Sequence, residues 1–295
     1  LLFLINHASS SCRATVTLPQ PSKVEGLLTG VESDNDKARV SLEPHGVEIL
    51  KGRHRVKLWQ LNERQLGLLT YPSFDHRIAA QRVVELWMLG VEELIFEGRT
   101  EIFGVKTVAK GTVGIIVKGV RNGIEVAVKV RRLDANRASL IPEAEKLRLA
   151  NSVGVGPRLL SASRNFLVWE YVEGRPIEEW GLAAPIESLR VVMKELLKQA
   201  LALDRIGLVH MELGRLGDHV LVTPQLNVVV FDFETASLRS GKSNVTQVAQ
   251  GLIIRDSPLS ARVREALGIT KVEALKILRE YKSTRRAEAL APLLS

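Results

Sequence analysis

A single cysteine, Cys12, is all that 295 residues offer. This excludes an internal disulfide and a cysteine-built metal centre, and it fits a reducing, cytoplasmic setting. Long apolar runs are missing as well. The opening LLFLI falls far short of the roughly 20 residues that cross a bilayer. It also lacks the charged start and apolar length of a signal peptide, so no membrane partner is expected. Carboxylates are the scarcer charge: 33 Asp and Glu stand against 41 Lys and Arg, a net charge of +8 with an isoelectric point near 9.7. The imbalance favours anionic partners such as a nucleotide, a nucleic acid or an acidic surface, with a merely solvated basic face as the plainer alternative. No internal repeat is visible. Hydrophobic residues make up 45% and charged residues 25%, the composition of a folded globular chain. Its length suits one two-lobed domain with an extension, or two domains.

Residues 1–27 are rich in Ser, Thr and Pro without a sustained period, so they are expected to be weakly ordered or untranslated. Residues 28–98 read as an accessory mixed module. Alternating runs at Ala38–Leu42 and Val47–Leu50 predict short strands, and Lys51, Arg53, His54, Arg55 and Lys57 form a basic cluster. That cluster offers a contact for RNA or a ribonucleoprotein; no aromatic side chains interleave with it, which is also the pattern of a solvated loop. After Tyr71-Pro72-Ser73-Phe74-Asp75 the period turns helical near 76–89. Ile78, Val83, Val84, Leu86 and Trp87 are its expected core face, and Gly90 its C-cap. Strands are predicted around Glu93–Phe96 and Ile102–Val108.

The patterns that carry chemistry begin at Lys110-Gly111-Thr112-Val113-Gly114. A strand follows, then an Asn122-Gly123 turn and a second strand, Glu125–Val130, which together predict a hairpin. Glycines without a Cβ let backbone N–H groups approach a triphosphate, although a glycine pair also suits an ordinary hairpin. Lys129 lies on the second strand, fifteen residues after Gly114. Pro142 then opens a helix with two acids, Glu143 and Glu145. Strands at Leu159–Leu160 and Phe166–Trp169 lead to Glu170-Tyr171-Val172-Glu173-Gly174, where the pattern breaks. Ile186–Asp204 is a strongly amphipathic helix with Leu189, Val192, Met193, Leu196, Leu197 and Ala200 on one face. Beyond it, Glu212 sits in a polar loop. Two short strands, His219–Val222 and Val228–Phe231, are joined by a turn at Pro224 and Asn227, and Asp232 directly follows. Carboxylates at one end of a hairpin suit a divalent cation and a hydroxyl nucleophile. The last helix opens on a capping box, Thr270 with Glu273, and ends in the basic run Lys282–Arg286.

Taken in order over residues of about 71 to 250, the glycine loop, strand lysine, helix acid, hinge and acidic hairpin resemble the predicted serine/threonine protein kinases of archaea. These are atypical relatives of the RIO kinases and of the kinase that serves the tRNA threonylcarbamoyladenosine complex. The phrases NSVGVGPRLL, HMEL, VVVFDFE and NVTQ carry the likeness. The resemblance implies an α+β, two-lobed protein-kinase-like fold with an N-terminal extension. Residues 99–174 would form the β-rich N-lobe and hinge, and 175–295 a small, mostly helical C-lobe. It also implies an ATP-dependent phosphotransferase using Mg²⁺ or Mn²⁺, with a protein Ser or Thr, or its own chain, as acceptor. In that family the loop matching Lys110, Gly111, Thr112, Val113 and Gly114 covers the phosphates, and the lysine matching Lys129 grips them. A helix glutamate holds that lysine. The family places it about eleven residues before a Gly-Val pair, which selects Glu143, with Glu145 as the alternative. The hinge would bond adenine through the C=O of Glu170 and the N–H of Val172, with Trp169 walling the pocket. Asp232 would bind the metal and Glu212 position the hydroxyl, while His210 braces the loop.

Three departures from the family's motifs bear on the chemistry. Glu212 stands where the loop base is Asp, one methylene longer. No Asn lies five residues beyond Glu212; counting back from Asp232 puts His219 there, beside Asp218. Neutral imidazole is a poor Mg²⁺ ligand, so Asp218 is the alternative, and a strand-start histidine bonded to backbone is the plain reading. Glu234 replaces the glycine of D-F-G, as a further metal ligand or simply as the loss of a flexible point. No A-P-E motif follows. Two other functions therefore stay open. One is a nucleotide-binding pseudokinase or ATPase-like assembly factor acting on RNA, ribosome precursors or a protein partner. The other is a small-molecule kinase of the aminoglycoside or choline type, for whose substrate subdomain the chain has little room.

Overall fold

A computed structural model describes residues 2–17, 23–26, 32–34, 37–45, 47–53 and 55–294. The chain divides into two compact units, Leu1–Ser139 with Ser163–Val168, and Leu140–Ala162 with Trp169–Ser295. Helices and antiparallel sheet occur in both, an α+β architecture. The helix and strand after Leu140 group with the second unit, so this division falls earlier than residue 174.

The first unit opens on two small sheets. Val47–Arg53 lies between Leu2–Ile5 and Lys23–Gly26, and Lys37–Leu42 lies between Cys12–Thr17 and Glu32–Asp34. Over its described residues the Ser- and Thr-rich opening forms strands. Backbone pairing in register, from Cys12↔Leu42 to Thr17↔Lys37, needs no apolar alternation, which is why the period did not reveal it. His54 of the basic cluster lies outside the described residues.

The main sheet of this unit is built on Gly114–Arg121 and Ile124–Arg131, paired from Gly114↔Arg131 to Arg121↔Ile124. Asn122 and Gly123, with φ of 50° and 75°, close the two-residue turn, the left-handed pair that matches strand twist. Phe166–Glu170 flanks Ile124–Arg131; Glu93–Ile95 flanks Gly114–Arg121, with Arg55–Lys57 at the edge. The predicted strand Ile102–Val108 is instead a tight hairpin, Thr100–Ile102 with Val105–Thr107. Phe103 and Gly104 both turn left-handed there and break the run.

The helix His76–Met88 starts where the Asp75 carboxylate accepts from the N–H of Ile78. Its core face is the predicted one only in part: Leu86 is buried as expected and Ile78 and Val83 are half-buried, but Ala79 and Arg82 are buried with it, whereas Val84 and Trp87 are 57% and 54% exposed. The reason is Arg82. Its guanidinium donates to the carbonyls of Leu69 and Arg131 and to Asn165 Oδ1, so the helix turns that charged residue inward. Burial pulls its pKa down to about 10, with Arg131 adding to the fall and Glu85 opposing it. Arg82 remains a cation at neutral pH.

In the second unit, Ile141–Asn151 carries Pro142 in its first turn, where the missing N–H costs nothing. The long helix Ile186–Arg205 buries Leu189, Val192, Met193, Leu196, Leu197 and Ala200, the face its period predicts. It packs on Asn244–Ala249 and Pro258–Leu267. A three-stranded sheet runs Arg175–Pro176, Val220–Val222, Val228–Val230. His219 does not start a strand: it closes the short helix Leu216–His219, and the strand begins at Val220. Lys271–Thr284 carries the predicted capping box of Thr270 and Glu273. Among the described residues no helix is long and apolar enough to cross a membrane.

Candidate functional site

Each unit carries part of the predicted site. In the first, the loop from Lys110 to Gly114 is closed by the N–H of Gly111 donating to the carbonyl of Gly114 at 2.8 Å. The N–H of Arg132 donates to the carbonyl of Val113 at 2.9 Å. Lys129, opposite Ile116 in the ladder, is buried, and its stem crosses Gly114. A Cβ on Gly114 would stand 2.8 Å from Lys129 Cγ, so here glycine is needed for close approach and not for its torsion angles. Lys110 Nζ reaches the Tyr71 hydroxyl at 2.5 Å, and Lys110 and Arg132 lie 4.6 Å and 5.0 Å from the Tyr71 ring centre. Arg132 also donates to the carbonyl of Gly111 and is paired with Asp134, which raises its pKa. Tyr71 and Arg132 thus fasten the loop. Nothing local in sequence connects Tyr71 with Lys110, 39 positions away.

The segment predicted as a hinge, Glu170 to Gly174, follows the Phe166–Glu170 strand. Glu170 commits its carboxylate to Arg158, accepting from the Arg158 N–H at 2.9 Å, and Val172 lies in the loop beyond. On the helix Ile141–Asn151, Glu143 is buried and Glu145 exposed. Two residues along a helix are about 200° apart, so only one can face inward. Glu143 faces the segment after the hairpin, where ligand atoms of Glu143, Asp232 and Glu234 lie within 4.8 Å of one another. Lys146, one turn on, donates to the carbonyl of Glu234 at 2.8 Å. Gly156, with φ of 83°, lets Leu147 and Phe233 close over it; a Cβ there would lie 3.0 and 3.1 Å from their atoms.

Asp232 itself has φ of 65° and ψ of 66°. This left-handed conformation is uncommon for a residue with a Cβ, and such positions concentrate at functional sites. His219 stands beside it with Nδ1 4.0 Å from Asp232 Oδ2. Asp218 precedes it on the short helix. Glu212 lies in the turn after His210, where its Oε2 accepts from Thr235 Oγ1 at 3.0 Å and Arg215 stands 3.8 Å from Oε1. Loop and hairpin end are thereby joined.

His210 is wholly buried, and its ring meets those of His219 and Phe233 at 5.1 and 5.3 Å. Burial lowers its pKa; the Phe231 carbonyl partly opposes this, and His219 adds to it. The neutral ring therefore donates from Nε2 to the Phe231 carbonyl at 3.0 Å. The His210 N–H donates to Asn244 Oδ1. Asn244 Nδ2 in turn donates to Asp204 Oδ1 and to the Leu208 carbonyl. Asp204 also accepts from Ser243 Oγ, from the N–H of Asn244 and from the Tyr281 hydroxyl. Burial, then the Asp204 charge, raises the Tyr281 pKa. This bracing set of Asp204, Asn244 and Tyr281 was not foreseen; only the NVTQ phrase pointed toward it.

Lys129 and Glu143, the expected ion pair, belong to different units. No family model and no curated protein matches the chain.

Proposed function

We propose that the chain is an ATP-dependent phosphotransferase of two-lobed, protein-kinase-like build that transfers the γ-phosphoryl group to a Ser or Thr hydroxyl of a protein or of its own chain. The observation that carries this reading is the acidic cluster around Asp232. A buried helix carboxylate, Glu143, meets Asp232 in a strained backbone conformation, next to a loop that presents Glu212. Such donors fit a divalent cation, Mg²⁺ or Mn²⁺, which when bound would neutralise charge on the phosphate oxygens. In this reading, Gly111 and Gly114 leave room for the triphosphate beside Lys129, and the backbone of Glu170 and Val172 bonds the adenine. Glu212 orients the acceptor hydroxyl and takes its proton. The hydroxyl oxygen forms a bond to the γ-phosphorus, the bond to the bridging oxygen breaks, and ADP leaves. Phosphate-gripping residues fall in one unit and metal-holding residues in the other; their meeting on one nucleotide is what a transfer assay tests.

A second reading has its own support. The Glu212 carboxylate already accepts from Thr235, an arrangement that suits a structural role and hence nucleotide binding without transfer, with RNA, a ribosome precursor or a protein as partner. Labelling with γ-phosphate and intact-mass analysis, in Mg²⁺ or Mn²⁺, separates the two. Incorporation abolished by Glu212→Gln, Asp232→Asn and Lys129→Met is the expected result. A melting shift with ATP that Lys129→Met removes, with no incorporation, would replace transfer with the binding-only function.

A further inference from the structure

The basic cluster that ends at Lys57 has no part in phosphate transfer, and in sequence no aromatic side chains interleave with it. The fold supplies them. The N–H of Leu58 donates to the carbonyl of Glu92 at 3.1 Å, and the N–H of Glu92 to the carbonyl of Val120 at 2.8 Å. These bonds gather three segments of the first unit at one end of its main sheet: Lys57 with Trp59, the last turn of the helix His76–Met88, and Arg121. Trp59 meets Trp87 edge-on, ring centres 6.0 Å apart, and Lys57 Nζ stands 5.6 Å from the Trp59 ring centre. Both indoles stay open, at 64% and 54% exposed. Val84, also exposed, shares the outer face of the helix with Trp87 and Met88, three and four positions on.

Two cations belong to this patch. Lys57 is the ladder partner of Glu93, yet among the described residues it makes no ion pair and leans on Trp59 instead. Arg121 lays its stem against Gly90, just past the helix end, where a Cβ would stand 2.9 Å from its Nε. That Nε is a buried atom without a hydrogen-bond partner, and Arg121 makes no ion pair among the described residues. Apolar contact alone would suit a protein partner. Two uncommitted cations beside the indoles, on a chain of net charge +8, select a polyanion. A duplex hides its base faces, whereas a single strand offers bases to the indoles and phosphates to the cations. We propose that Trp59 and Trp87, with Lys57 and Arg121, form a stacking platform for single-stranded nucleic acid. The platform shares no residue with the groups assigned to ATP or metal, so it holds whether or not the chain transfers phosphate.

The full-length chain is titrated into labelled short strands of oligo(U) and oligo(dT), with a duplex of equal length as control, and anisotropy is followed over a range of salt. Single strands are expected to bind. Trp59→Ala and Trp87→Ala should each weaken them by about tenfold or more and leave duplex binding unchanged. Lys57→Gln and Arg121→Gln should each reduce the slope of log affinity against log salt by about 0.7. Stacking ignores the 2′-hydroxyl, so RNA and DNA strands should bind within a few-fold; a larger preference for one names the strand the platform takes. On the unaltered chain, a 5-iodouridine strand should cross-link on irradiation to peptides holding Trp59 or Trp87, a reading that no variant's folding affects. Equal affinity for strand and duplex, folded Trp variants that bind as tightly as the parent, or cross-links confined to other segments would overturn the platform. So would no binding, or sedimentation in which Trp87→Ala instead separates a dimer, which would make the patch an interface between copies.

Discussion

His210 sits wholly inside the second unit with one ring nitrogen donating to the Phe231 carbonyl and the other without a partner. A carbonyl only accepts, so the neutral ring carries its proton on Nε2, and a second proton on Nδ1 would be buried unpaired. This is the physical content of its lowered pKa. Between that lowered value and the ordinary imidazole value of about 6.5, the unfolded chain binds a proton that the folded chain refuses. The stability contributed by neutral His210 is therefore complete above about pH 6.5 and is lost as the pH falls toward the folded value. Urea denaturation across that range should show stability falling with acid, and His210→Gln should flatten the slope. An equal slope in both proteins would assign the dependence to other groups. Sequence had named His210 as a brace from the resemblance. That Asn244 and Phe231 hold it could not be read, because the residues in contact are 34 and 21 positions away.

At the scale of elements, periodicity succeeded where one side of a helix is purely apolar. Ile186–Arg205 buries the face its pattern displays. The helix His76–Met88 is the contrary case, since a hydropathy count sends Val84 and Trp87 inward and Arg82 outward. A guanidinium can occupy a core only when acceptors from other elements wait for it, and here they come from Leu69, Arg131 and Asn165. Trp87 is left to meet Trp59 edge-on at the surface, ring centres 6.0 Å apart. Replacing Arg82 by Met keeps the volume and strands those acceptors, so Arg82→Met should cost on the order of 3 kcal/mol in chemical denaturation. Trp87→Gln should change stability by less than about 0.5 kcal/mol. The reverse order would restore the face that hydropathy predicts.

For the molecule as a whole, the last helices are tied to the loop that carries Glu212. Tyr281, 77 positions from Asp204, donates its hydroxyl to that carboxylate at 2.9 Å. Asp204 in turn holds Asn244, which holds the His210 N–H. Removing one donor from an ionised acceptor costs about 1.5–3 kcal/mol, so Tyr281→Phe should lower the unfolding free energy by about that amount. A loss confined to the C-terminal helix, seen by hydrogen exchange as protection retained at Val209–Leu213, would show that the chain of bonds does not reach the loop.

What sequence alone determined is whatever a few neighbouring residues decide. The Asn122-Gly123 turn follows from left-handed torsions that those residues adopt without strain. The capping box at Thr270 and the apolar face of Ile186–Arg205 are likewise local. Only the tertiary structure decided that Glu143 and not Glu145 turns inward, that it meets Asp232, 89 positions on, and that His219 ends a helix with its Nδ1 toward Asp232. The reason is physical: burial of charge is unfavourable for each group alone, and becomes acceptable only when distant segments bring partners to it.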